Sequence, residues 1–151
     1  GVMIAPQEFE RCICFDDLAT GGSIMIFSPE RDVLEVVEAF LDFFCDESCG
    51  YCTPCRVGTV LLRACVDRIR HRHGTREDLE YLEQLGQTMK STSRCGLGQT
   101  SCNPVLSTLK NLRGVYEALL TERAEGRQPS FDLSSALACG EELAGRKSVH
   151  S

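Results

Sequence analysis

The sequence predicts a mainly α protein, a four-helix bundle preceded by the end of a β domain. Four stretches between residues 29 and 125 repeat apolar residues at helical spacing. The connections between them are mostly short, which makes neighbouring helices antiparallel. Residues 1–28 carry only short apolar pieces between turn signals, too few strands to stabilise a sheet of their own. With 151 residues, 42% of them hydrophobic, the chain can bury a real core without disulfides.

Met3-Ile4, Cys12 to Phe15 and, after Gly21-Gly22, Ser23 to Phe27 read as extended pieces. The first helix places Val33, Val36, Val37, Phe40, Leu41 and Phe44 on one stripe, with Ser28 as its cap and Pro29 at its first position. The second sets Val57, Val60, Leu61, Ala64, Cys65 and Ile69 on one face and stops at Gly74. The third starts from Thr75, carries Glu77 and Asp78 in its first turn, and turns Leu79, Leu82, Leu85 and Met89 inward. The fourth opens at Asn103-Pro104 and runs through Val105, Leu109, Leu112, Tyr116 and Leu119. Residues 126–151 are expected to be a linker and tail, with Gly126 to Pro129 as the linker and a short fifth helix within Phe131 to Gly145.

A net charge of −6 argues against a nucleic-acid groove or an anionic-membrane surface. The longest apolar runs, Ile24 to Phe27 and Val60 to Leu62, are far too short to span a bilayer. No basic-then-apolar leader opens the chain, and a cytoplasmic location is expected. The chain begins with Gly1 and its first stretch reads as the middle of something, so a fragment of a larger polypeptide is expected.

Ten cysteines in a chain that does not need disulfides point to metal or redox chemistry. Helices one and two are joined by Glu47-Ser48-Cys49-Gly50-Tyr51-Cys52-Thr53-Pro54-Cys55-Arg56, and helices three and four by Ser93-Arg94-Cys95-Gly96-Leu97-Gly98-Gln99-Thr100-Ser101-Cys102. In an up-down bundle both connections lie at the same end. Cys49, Cys52 and Cys55 at intervals of three suit a polymetallic cluster, because each thiolate can reach a different corner iron of a cubane. A single zinc is more often held by two pairs of ligands, although a zinc site stays open on spacing alone. Cys95, at the start of the facing loop, is the favoured fourth ligand. Cys102 is its rival, although its place beside the Asn103-Pro104 cap points it into the bundle end.

The remaining candidates have plainer readings. Arg56 either opens a helix toward solvent or favours the reduced form of a cluster. Cys65 and Cys45 read as packing, Cys12 and Cys14 lie in an extended segment away from the two connections, and Cys139 stands alone. His71 and His73, with Arg68 and Arg70, complement a helix C-terminus. Gly96-x-Gly98 has neither the preceding strand nor the third glycine of a dinucleotide fingerprint.

At these residues the chain resembles a known family. Glu47-Ser-Cys-Gly-Tyr-Cys-Thr-Pro-Cys-Arg-Val-Gly58 closely matches the signature of the NADH-binding flavoprotein subunit of respiratory complex I and its relatives. Those relatives are the diaphorase subunit of NAD-reducing nickel–iron hydrogenases and the β subunit of NAD-dependent formate dehydrogenases. Leu18 to Ile26 is similar to the last strand of the ubiquitin-like domain found there, and Ser93 to Thr100, leading to Asn103-Pro-Val-Leu106, to the second cluster loop.

The resemblance implies a 4Fe-4S cluster held by Cys49, Cys52, Cys55 and Cys95. In the family such a cluster takes electrons singly from flavin mononucleotide (FMN) reduced by NADH, and passes them to clusters of neighbouring subunits. It implies as partners an upstream flavin domain of the same polypeptide and other iron–sulfur subunits of a multisubunit oxidoreductase. The FMN and NAD(H) sites would lie in that upstream region, so this chain alone is not expected to oxidise NADH. Val57, where respiratory complexes often carry glutamate, leans with Tyr51 and the Gly-Leu-Gly-Gln-Thr loop toward the hydrogenase or formate dehydrogenase branch. A zinc-stapled assembly module without redox function is the alternative.

Overall fold

The computed structural model describes residues 1–18, 20, 22–121 and 133–147. Three long helices, α1 (Val33–Glu47), α2 (Thr53–Arg70) and α3 (Arg76–Thr92), are followed by three short ones, α4 (Gly96–Thr100), α5 (Asn103–Asn111) and α6 (Arg113–Glu117). α7 (Leu133–Ala144) lies within the stretch expected to hold a fifth helix, while the linker expected over Gly126 to Pro129 lies outside the described residues. No helix among the described residues is long and apolar enough to cross a membrane.

α1 starts later than its sequence signals predict. Asp32, not Ser28, is the cap: Oδ1 accepts the N–H groups of Leu34 (2.9 Å) and Glu35 (3.3 Å), and Oδ2 accepts from Arg70 Nε at 3.1 Å. One carboxylate thus satisfies the helix start and ties it to α2, whereas Ser28 Oγ accepts from Glu30 N–H in the turn ahead. Leu34, Val37, Leu41 and Phe44 are the buried face.

α2 is rotated by about one residue from the face the spacing predicts. Cys55, Gly58, Thr59, Leu62, Cys65, Val66 and Ile69 are buried, while Val57 (42% exposed), Val60 (54%) and Leu61 (39%) face outward. The reason is close approach. A Cβ on Gly58 would stand 2.5 Å from Met89 Sδ, so α3 packs where α2 has no side chain. Thr59 can be buried because its hydroxyl donates to Cys55 O (2.8 Å). α2 also ends at Arg70 rather than at Gly74, with Arg72 at φ +60° and His73 N–H donating to Arg68 O to close the turn.

α3 follows its signals. The Thr75 cap is closed by Asp78, whose Oδ2 accepts Thr75 N–H at 2.8 Å, and Leu79, Leu82 and Met89 are buried with Leu85 packed against them. The expected single fourth helix is broken at Leu112 (φ −129°, ψ 35°) into α5 and α6. Eight residues of straight helix would separate Thr108 from Tyr116 by about 12 Å. The break instead folds the Tyr116 hydroxyl back to 2.7 Å from Thr108 Oγ1, in a fully buried position.

Cross-links give the directions. Late α2 pairs with early α1, through Arg70 to Asp32 and Glu38, and Arg63 pairs with Asp42 further along α1. Late α2 also meets early α3 through Arg68 and Asp78, while Gly58 meets Met89 at the other end. α1, α2 and α3 are therefore successively antiparallel around a core of Leu34, Leu41, Leu62, Ile69, Leu82 and Met89, closed by Val105 and Leu109 of α5. The expected strand over Ser23 to Phe27 is not formed: no strand occurs among the described residues, and Ile24, Met25, Ile26 and Phe27 are exposed. A lone strand has no ladder to satisfy its backbone. Gly21 of the preceding turn lies outside the described residues.

The cap makes stability pH-dependent. Burial raises the Asp32 carboxyl, but the bonds from Arg70, Glu35 and Leu34 outweigh it and hold its pKa below the usual range. A depressed folded pKa stabilises above about pH 4 and loses that contribution as pH falls through the folded value. Asp32→Asn, which still caps, should cost about 0.2–1 kcal/mol near neutrality and flatten the loss of stability between about pH 5 and pH 3. Asp32→Ala should cost about 1 kcal/mol more. Urea titrations across that pH range check both; an Asn variant with the wild-type pH slope would contradict the assignment.

Candidate metal centre

The two cysteine-bearing connections meet at one end of the bundle. α1 ends at Glu47 and Ser48 is extended (φ −67°, ψ 121°). Gly50 then takes φ +73°, a left-handed conformation that glycine adopts without strain. Its N–H donates to Ser48 Oγ (3.3 Å) and its carbonyl accepts from Arg56 Nη1 (2.8 Å), which closes the turn over Cys49. Cys52 is the N-cap residue of α2 and Cys55 lies in its first turn, so both sulfurs sit where the helix dipole favours negative charge. Cys49 is exposed, Cys52 half-buried and Cys55 buried.

On the facing side, Ser93 ends α3 and Cys95 is the N-cap residue of α4. This short helix, expected only as a loop, packs against the start of α2. A Cβ on Gly98 would stand 3.0 Å from Cys55 Cβ and 2.7 Å from both Cβ and Oγ of Ser93. Gln99 Nε2 donates to Ser93 O at 3.0 Å and secures the corner. Cys95 is exposed.

The two turns also bond directly. The Cys52 thiol's pKa is lowered by the backbone N–H groups of Arg94, Cys55 and Cys52, against a smaller effect of burial. Thiolate is the form that binds metal. The Arg94 guanidinium lies 5.3 Å from the centroid of the Tyr51 ring and donates to its hydroxyl at 2.9 Å. Arg56 is not simply turned to solvent, since its guanidinium folds back onto Gly50 O.

Cys102 is placed differently from the four expected ligands. It is fully buried at the start of α5, its Sγ is 3.7 Å from Gln99 O, and burial pushes its pKa up. Cys65 is core, its Sγ toward Asp78 O at 3.7 Å. Cys45 is half-buried at the end of α1, Cys12 and Cys14 are exposed, and the Cys139 side chain lies outside what the structure describes. His71 Nδ1 is 2.9 Å from Asp67 O, in keeping with a helix-end role.

Among the described residues, no three histidine, cysteine or acidic side chains converge as a site for one metal ion. The thiols stand on two facing turns joined by the bond from Arg94 to Tyr51. Ser93 Oγ is buried between them without a hydrogen-bond partner, while Ser48 Oγ is 3.3 Å from Cys55 Sγ. A buried hydroxyl without a partner beside thiolates suits a sulfur-rich group, which can accept from it. Sequence reading placed Ser48, Tyr51, Ser93 and Arg94 on the connections at this end but did not foresee their contacts there. The arginine directly before Cys95, opposite an aromatic directly before Cys52, was the available signal.

Fold and site define a class: a helical domain with two thiol-bearing turns facing each other at one end. The chain belongs to the family described as the NADH-ubiquinone oxidoreductase-F iron-sulfur binding region, whose profile matches residues 35–119, and that region is of the 4Fe-4S type. It is 40% identical over 131 residues to the NAD-reducing hydrogenase HoxS subunit alpha of Cupriavidus necator, covering 87% of this chain and 22% of that subunit. It is 39% identical over 129 residues to the NADP-reducing hydrogenase subunit HndC of Solidesulfovibrio fructosivorans (82% of this chain, 26% of the relative). An NADH-quinone oxidoreductase subunit of Mycobacterium tuberculosis is 32% identical over 136 residues (86% and 30%). A solved NAD+-reducing nickel–iron hydrogenase in the H2-reduced state superposes with a TM-score of 0.73 at 37% identity, over 97% of this chain and 25% of that one. The chain thus spans about a quarter of the length of these relatives.

Gly98→Ala tests the close approach. In an ordinary helix the change gains about 0.5–1 kcal/mol. Here the methyl meets Ser93 and Cys55, and overpacking should dominate with a net loss of about 1–2 kcal/mol. A shift of the urea midpoint upward would contradict the packing of α4 on α2.

Proposed function

We propose that Cys49, Cys52, Cys55 and Cys95 hold a 4Fe-4S cluster at this end of the bundle, and that the domain relays electrons within an NAD(H)-linked flavoprotein oxidoreductase. The observation that carries the reading is the direct bond between the two turns, Arg94 Nη1 to the Tyr51 hydroxyl at 2.9 Å. It sets the residue before Cys95 against the residue before Cys52, the middle thiol of the C-x2-C-x2-C run. The burial of Cys102 and its bond to Gln99 O support Cys95 as the fourth ligand. When bound, such a cluster supplies a one-electron store at the protein surface. The chain's own residues supply the thiolates, the N–H groups that stabilise negative charge on sulfur, and turns whose shape is set by Gly50 and Gly98.

In this reading residues 29–125 are the cluster domain, 1–28 the end of a ubiquitin-like β domain, and 126–151 a linker and tail. The exposed Ile24 to Phe27 run would pair with strands supplied by that β domain. FMN and NAD(H) would bind in an upstream domain of the same polypeptide, and the electrons would pass to iron–sulfur subunits of a cytoplasmic complex. Of the hydrogenase or formate dehydrogenase branch, identities of 40% and 39% to hydrogenase subunits, against 32% to a quinone oxidoreductase subunit, support the hydrogenase side.

Prepared without oxygen, the chain should be brown, contain about four irons and give a paramagnetic signal after dithionite. Cys95→Ser should abolish the four-iron cluster and Cys102→Ser should leave it. A colourless protein with one zinc would sink the relay reading, and loss of the cluster in Cys102→Ser alone would reassign the fourth ligand.

A further inference from the structure

We propose that Arg94 is a positioning residue of the cluster end: stacked on Tyr51, it clamps the second cysteine turn onto the first, and its cation raises the potential of the group held there. The inference rests on the ligand reading above and adds a role for a residue that is not itself a ligand.

Three observations meet at Arg94. It directly precedes Cys95, and the Tyr51 it reaches directly precedes Cys52, so one contact joins the neighbours of two expected ligands. Its guanidinium lies over the Tyr51 ring at 5.3 Å and donates to the Tyr51 hydroxyl at 2.9 Å, joining two turns 43 residues apart in sequence. Both side chains are exposed, so this clasp buries little apolar area. Its value is orientation: a planar cation stacked and hydrogen-bonded to one ring is held in one place.

Charge pairing adds the third observation. Arg63, Arg68 and Arg70 on α2 are each paired with a carboxylate. Arg94 instead takes an aromatic partner, and among the described residues no carboxylate forms an ion pair with it. Its positive charge is left without a carboxylate partner on the turn that carries Cys95. A four-thiolate site is anionic and gains a further negative charge on reduction, so a fixed cation nearby stabilises the reduced form more than the oxidised one. Lysine would keep the charge but lose the planar stack; glutamine would keep a hydrogen-bond donor and lose the charge. The backbone at Arg94 is unchanged in every variant, which separates side-chain effects from loop formation.

The test is redox titration of the anaerobically prepared chain, followed by its paramagnetic signal, together with the rate of iron loss to a chelator. Arg94→Gln should retain about four irons but titrate at a lower potential than wild type. Arg94→Lys should return the potential toward wild type. Tyr51→Leu, which removes the stacking surface and leaves the cation, should lose iron about tenfold faster with a smaller shift in potential. A wild-type chain without four irons would overturn both the ligand reading and this role. Four irons in wild type, with unchanged potential in Arg94→Gln and unchanged iron loss in Tyr51→Leu, would overturn the role of Arg94 alone.

Discussion

How closely α4 can approach the first turn of α2 controls the end of this bundle, and the absence of a side chain at Gly98 sets that distance. A Cβ there would overlap Ser93 and press on Cys55. Because nothing fills that space, the turn after α3 reaches the turn after α1 and Arg94 settles on Tyr51. The contact is small, but the cysteines stand on it. Gly58 does the same for the long helices, letting Met89 of α3 sit against α2.

The bundle behind it keeps the two turns at one end. Arg70 ties late α2 to the start of α1, Arg68 ties it to the start of α3, and a continuous apolar core runs between these ends. These ion pairs are partly exposed and contribute little individually. Burial of residues such as Leu62, Leu82 and Met89 supplies most of the stability, each being worth about 2–5 kcal/mol on truncation. The ion pairs orient what burial stabilises. Sulfur chemistry can therefore sit on short, partly exposed turns without the turns having to fold by themselves.

Much of this is legible in the residues. α3 is written out by its Thr75–Asp78 box and its Leu79, Leu82, Met89 stripe, and the C-x2-C-x2-C run and Cys95 lie on connections that meet at one end of the bundle, as an up-down order implies. α2 is legible as a helix but not in its orientation, because it is apolar on more than one side. Its buried face is chosen by the small residues Gly58 and Thr59, to which a hydrophobic pattern is blind. Ser28-Pro29 looks like a start signal, yet Asp32 satisfies two helices at once, a tertiary reason outside local sequence. The break at Leu112 likewise follows from the bond between Thr108 and Tyr116 across the turn. Cys102 lies buried in the bundle end, as its place beside the Asn103-Pro104 cap implies. The clasp of Tyr51 and Arg94 depends on a rotational setting of two turns that spacing does not encode.

The most direct measurement is anomalous diffraction at the iron edge from crystals of the anaerobically prepared chain. The predicted result is one compact group of iron sites between the two turns, bounded by Cys49, Cys52 and Cys55 on one side and Cys95 on the other. Iron bound through Cys102, or no iron between these turns in a protein that binds it, would contradict the assignment.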